Sequence, residues 1–161
     1  MKNISIVTIG ALVALAAVNT ASAQTATQTV TFQVTAINQL AVTGAPSLVI
    51  NTAAAGSAPT SVTSAANTWS VTTNQSGASI TASIPTAMPA GLTLSANLTA
   101  PAGATSTGLT ALGTTAVNVV TGITKLNAAA LALSYQLDAT AAAGVVSSAT
   151  RVVTYTITGG V

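Results

Sequence analysis

The charged side chains of this sequence are Lys2, Lys125, Asp138 and Arg151, and the chain contains no histidine and no cysteine. General acid–base catalysis needs a group that titrates near neutral pH, and hydrolysis by paired carboxylates needs two acids. A single aspartate supplies neither within one chain. Transition metals are held by imidazole, thiolate or several carboxylates, none of which can be assembled here. A calcium site would have to be built from Asp138 and backbone carbonyls alone. The nucleophile pair that the composition permits is a serine activated by Lys125. No serine has the spacing of a nucleophile elbow, and Lys125 follows Gly122-Ile123-Thr124 in a loop or strand edge, where a lysine is ordinarily solvated. The expectation is a chain that is not an enzyme, with no catalytic residue, no metal ligand and no cofactor.

Asp138 and Arg151 flank the turn between the last two expected strands, where an exposed ion pair would contribute about 0.2–1 kcal/mol to register and solubility. Trp69, Tyr135 and Tyr155 offer rings on which a sugar could stack. Each shares strand parity with aliphatic neighbours, however, so all three are expected in the core.

The start of the chain reads as an export signal. Lys2 provides the positive start, Ile4 to Val18 an apolar run, and Ala21-Ser22-Ala23 a small-residue cleavage site. Residues 1–23 are therefore expected to be a cleaved signal peptide, and residues 24–161 one domain. The apolar run is shorter than the roughly 20 residues that a spanning helix needs, and no membrane span is expected after it. The mature protein would be secreted: periplasmic, extracellular or at the cell surface. About 138 residues remain after cleavage, enough for one core and too few for two.

Removing Lys2 lowers the formal net charge of +2 to +1. Lys125 and Arg151 alone cannot neutralise a row of phosphates, so nucleic acid is excluded as a partner class. Electrostatic steering to acidic lipids is excluded on the same ground. Half the residues are apolar, opposite to the composition of a disordered chain, and without cysteines stability rests on packing and backbone hydrogen bonds.

The clearest periodicity is two. Val30, Phe32 and Val34 alternate with Thr29, Thr31, Gln33 and Thr35, which predicts a half-buried strand over residues 28–36, with a bulge near Ala36-Ile37-Asn38 before Leu40 and Val42 continue it. Ser47–Asn51 is expected as a second strand, and Ala53–Pro59 as a loop. Thr68–Thr72, with Trp69 and Val71 on one face, is expected to form a hairpin with Ser79–Ile84 across Asn74–Gly77. Further stripes run through Leu92–Leu98, Ala116–Val120 with a break at Gly122, Leu131–Leu137 and Arg151–Thr158. Alanine-rich Leu126–Leu133 is read as strand because the stripe beyond it keeps period two, and Ala141–Gly144 as a turn. Seven to nine antiparallel strands between turn signals predict an all-β, immunoglobulin-like Greek-key sandwich.

QTVTFQVTAINQLAVTGAPSLVI, WSVTTNQSGASITASIPTAMPAGLTL, APAGATSTG and the terminal RVVTYTITGG together resemble a family of small bacterial secreted proteins with immunoglobulin-like sandwich folds. The resemblance spans essentially the whole mature chain. It implies fold and export and hands no catalytic or binding role to any single residue. The architecture is also similar to subunits of donor-strand pili, in which an N-terminal strand of one subunit completes the sandwich of the next. The sequence departs from that pattern in having no cysteine pair and in placing Tyr155 away from the terminus.

Burial of Val30, Phe32 and Val34 alone does not match the entropy of ordering residues 28–36, so the segment must also recover ladder hydrogen bonds in a sheet. Its own sheet is the favoured host, because only Gln24–Thr27 separate it from the cleavage site and Leu40 and Val42 carry it onward. A neighbour's sheet is the alternative. The functional expectation is a non-enzymatic structural or cell-surface protein that self-associates through uncharged edge strands into a coat, matrix or fibre. The alternative is an adhesin-like or glycan-binding module using loops such as Ala53–Pro59 and Ala100–Gly108; the identity of a protein or glycan partner stays open.

Overall fold

A computed structural model describes residues 22–64 and 67–161. The chain divides into two units, residues 1–33 and Val34–Val161. The expected signal peptide lies outside the described residues, apart from Ser22 and Ala23. Of the first unit, residues 22–33 are described; they are exposed and adopt no regular secondary structure.

The second unit is all-β, because runs of Val, Ile, Leu and Thr at period two put one row of side chains inward and leave the other row polar. In chain order its strands are β1 (Asn38–Thr43), β2 (Val62–Thr63), β3 (Asn67–Thr73), β4 (Ala78–Ser83), β5 (Leu92–Leu98), β6 (Thr105–Ser106), β7 (Thr110–Ala111), β8 (Val117–Ile123), β9 (Leu126–Ala139) and β10 (Thr154–Thr158). They form two antiparallel sheets, consistent with a β-sandwich. One has the order β1-β3-β9-β5-β7 with β2 added beside β9, the other the order β10-β4-β8-β6.

Both sheets face one core. The first contributes Trp69, Val71, Leu94, Ala96, Leu98, Leu133 and Tyr135, and the second Ala78, Ile80, Ala82, Val119, Val120 and Ile123. Each of the large aliphatic side chains stabilises the fold by about 1.5–3 kcal/mol through removal from water. Strand β9 is the common spine. Its first half pairs with β3 and its second with β5, so the alanine-rich stretch is strand and not helix.

Within the half that pairs with β3, β9 is irregular. Trp69 faces Leu131 but Val71 faces Ala128, two positions against one, and Ala130 takes φ 54° at the bulge. The Ala130 N–H donates to Ser70 Oγ at 3.2 Å, recovering a bond that the ladder loses there.

Four sequence expectations are corrected. Residues 28–36 belong to neither sheet, and regular pairing begins only at Asn38. The link at residues 35–37 is made by Asn74 instead of a regular ladder: its Oδ1 accepts the Ile37 N–H at 2.8 Å, its Nδ2 donates to the Thr35 carbonyl at 2.7 Å, and its backbone N–H donates to the Ile37 carbonyl at 3.2 Å. Ser47–Asn51 is not a strand either. Leu48 and Ile50 are half-buried and Val49 is exposed, so the alternation is real, but among the described residues no strand pairs with the segment.

The hairpin across Asn74–Gly77 is a crossover instead: β3 belongs to the first sheet and β4 to the second. The turn spends its backbone bonds on other segments. Ser76 exchanges two bonds with Val161, and the Gln75 carbonyl accepts the Lys125 N–H. Finally, β8 runs through Gly122, which has φ 74°, to Ile123. The expected turn at residues 141–144 is a single 3-10 turn, Ala141–Ala143.

Candidate functional site

Among the described residues, no ion pair joins any two of Lys125, Asp138 and Arg151. Asp138, near the end of β9, accepts hydrogen bonds from Ser61 Oγ and from Gln136 Nε2, the latter at 2.9 and 3.2 Å to its two oxygens. Arg151, three residues before β10, donates from Nη1 to the Thr150 carbonyl at 2.9 Å and from Nη2 to the Ala87 carbonyl at 3.2 Å. The expected Asp138–Arg151 pair is therefore not formed, because β9 and β10 lie in different sheets and are not the arms of a hairpin. Lys125 occupies the β8–β9 turn with φ 41°, and no serine hydroxyl bonds it among the described residues.

Trp69 and Tyr135 are buried, as their parity predicts, and Tyr155 packs against the core without being fully buried. Trp69 is 1% and Tyr135 8% exposed, and Tyr155 is half-buried. Tyr155 on β10 donates its hydroxyl to that of Tyr135 on β9 at 3.0 Å, a polar bond between the sheets. Burial raises both phenol pKa values. For Tyr135 the bond from Tyr155 offsets part of the rise, whereas for Tyr155 the same bond and the neighbouring phenol add to it. Rings held this way offer no stacking platform to a glycan.

A second buried polar cluster closes the end of β3. Asn67 Nδ2 donates to Ser64 Oγ at 3.0 Å, and Ser64 Oγ accepts the Tyr135 N–H at 3.0 Å. Asn67 also lies against Gly44, where any Cβ would overlap its side-chain oxygen. All these groups bond one another, which marks the cluster as structural.

Two surface features stand apart from these buried clusters. The first is apolar: Val30 is 72%, Phe32 89% and Val34 77% exposed. They are three successive same-parity residues in a segment without a charged side chain. The second is a cleft of about 760 Å³ within the second unit, formed by residues 46–53 and 139–151 with Met88, Pro89 and Leu92. Ala53 and Pro59, the ends of one expected loop, line it, and the other expected binding loop, Ala100–Gly108, does not. The return of residues 145–151 against it carries no sequence signal beyond the turn at Ala141–Gly144.

Among the described residues no helix is long and apolar enough to cross a membrane. No known protein family, curated protein or solved structure matches the chain.

Proposed function

We propose that this chain is an exported, non-enzymatic structural protein of the cell surface or exterior, with an immunoglobulin-like Greek-key sandwich, and that it assembles by lending residues 28–34 to a sheet edge of another copy. The observation that carries this reading is the exposure of Val30, Phe32 and Val34 at 72%, 89% and 77%. The segment has a strand's alternation, yet the two sheets of its own chain do not include it.

Isolated strands are not stable in water, because an extended segment without a ladder pays its ordering entropy for no bonds in return. The chemistry of the edges supports a second copy as the host. In the described sheets, β1 and β10 are the long edge strands, and neither carries a charged residue. Natural edges are commonly guarded by lysine or proline, and these are not. A net charge near zero leaves little repulsion between copies.

The test is deletion and return of the segment. The full chain should form concentration-dependent oligomers by light scattering, a chain lacking residues 24–35 should stay monomeric, and the peptide of residues 24–36 should bind the shortened chain with one-to-one stoichiometry. Oligomers that persist after the deletion, or a full chain that remains monomeric at high concentration, would overturn the reading.

A further inference from the structure

The cleft described above has one charged group in its lining, Arg151, and otherwise mixes apolar with uncharged polar side chains. Leu48 and Met88, which pack against the core cluster, line it with Leu92, Leu137 and Val146, and Ser47, Asn51 and Thr150 are among its polar residues. Its volume of about 760 Å³ falls within the roughly 300–1,000 Å³ of small-molecule sites.

The guanidinium is incompletely satisfied. Of its five N–H groups, the Thr150 and Ala87 carbonyls take one each. Nε is shielded from solvent and out of a ligand's reach, so the N–H groups left for a molecule in the cleft are the second ones on Nη1 and Nη2. No carboxylate side chain pairs with it: Asp138 is the single acidic residue in the sequence, and it bonds Ser61 and Gln136 instead. Lys125 does not line the cleft, so Arg151 sets its charge alone.

We infer that the cleft binds a small amphiphilic monocarboxylate, an acid with an unbranched apolar body of the fatty-acid type. The carboxylate lies against the Arg151 fork, where planar, charge-assisted bonds are strongest, and the hydrocarbon lies along Leu48, Met88, Leu92 and Leu137. One guanidinium matches one negative charge. A phosphate, with more charge to balance, would find no second cation in this lining. The inference is independent of assembly, since it uses none of residues 28–34.

The test titrates decanoate, decanol and acetate into the full chain as purified from expressing cells, by calorimetry and by amide shifts on isotopically labelled protein. Decanoate should bind one-to-one and at least tenfold more tightly than decanol, and acetate should show no saturable binding. The shifted amides should fall in Ser47–Ala53 and Ala139–Arg151. Arg151→Met keeps the aliphatic stem and should lower decanoate to the level of decanol, while Arg151→Lys should keep part of the preference. Equal affinity for decanoate and decanol, an undiminished preference in Arg151→Met, or shifts centred on Val30–Val34 would overturn the inference. Should Arg151→Met lose its β-sheet spectrum, the decanoate-to-decanol ratio and the shift map of the unaltered protein decide the matter.

Discussion

Replacing Phe32 by Ala separates a side chain that serves assembly from one that serves the fold. Phe32 is 89% exposed, so its removal leaves the core untouched, and the melting temperature in dilute solution should stay within about 1 °C of the parent, as for other surface changes. If the ring is buried in a neighbouring copy, its loss forfeits most of the roughly 1.5–3 kcal/mol that a fully buried Phe contributes. Taking about 2 kcal/mol, the association constant should fall about 30-fold.

Ile80→Ala is the mirror image. Ile80 is 0% exposed on β4, so truncation costs about 2–5 kcal/mol. At about 3–5 °C per kcal/mol for a domain of this size, that is a drop of roughly 6–25 °C. Sedimentation velocity over a concentration series reads the first quantity, and calorimetry the second. A Phe32→Ala protein that melts as early as Ile80→Ala would refute the reasoning, because the ring would then be part of its own domain's core. So would an unchanged association constant.

Three further outcomes follow from the interior. Burial raises both phenol pKa values, so the stability tied to them is fully present below the unfolded value of about 10 and falls as pH rises above it. Urea midpoints should therefore hold level to about pH 10 and decline beyond, and Tyr155→Phe should flatten the decline. Trp69 Nε1 is buried without an acceptor, a burden of about 1–3 kcal/mol that Phe does not carry. Trp69→Phe should thus change stability by less than about 1.5 kcal/mol in urea titration, against about 3–5 kcal/mol for Trp69→Ala. Gly91 has φ 79°, and a Cβ there would meet Ala143 N and Thr140 Oγ1 at 2.8 Å each. Gly91→Ala should lower the melting temperature by several degrees, more than Gly103→Ala, where φ is also positive but the space is open.

Alternation was the legible signal, and it reports which side chains of an extended segment face alike. For Trp69 and Val71, for Leu92 to Leu98 and for Leu131 to Leu137 that was sufficient, because a partner strand lies on at least one side of each. For Val30 to Val34 and Leu48 to Ile50 the alternation is as clean, but pairing is a property of the neighbour, and the neighbour cannot be read from the segment. The Asn74–Gly77 turn failed for a related reason. Its residues fit a hairpin, but its backbone groups bond the C-terminal residue and the β8–β9 turn, contacts far apart in sequence. The cleft was legible only as loops. That Arg151 would lie without its acid depended on β9 and β10 falling in different sheets, which two-residue periodicity does not encode.

Amide hydrogen exchange on residues 28–34, compared between dilute and concentrated protein, tests assembly through this segment most directly. The account predicts exchange without protection when the protein is dilute, and protection of alternate amides, in step with the oligomer fraction, when it is concentrated. Protection of these amides at every concentration would place the strand in its own sheet, and no protection in the oligomer would show that the copies join elsewhere; either result contradicts the account.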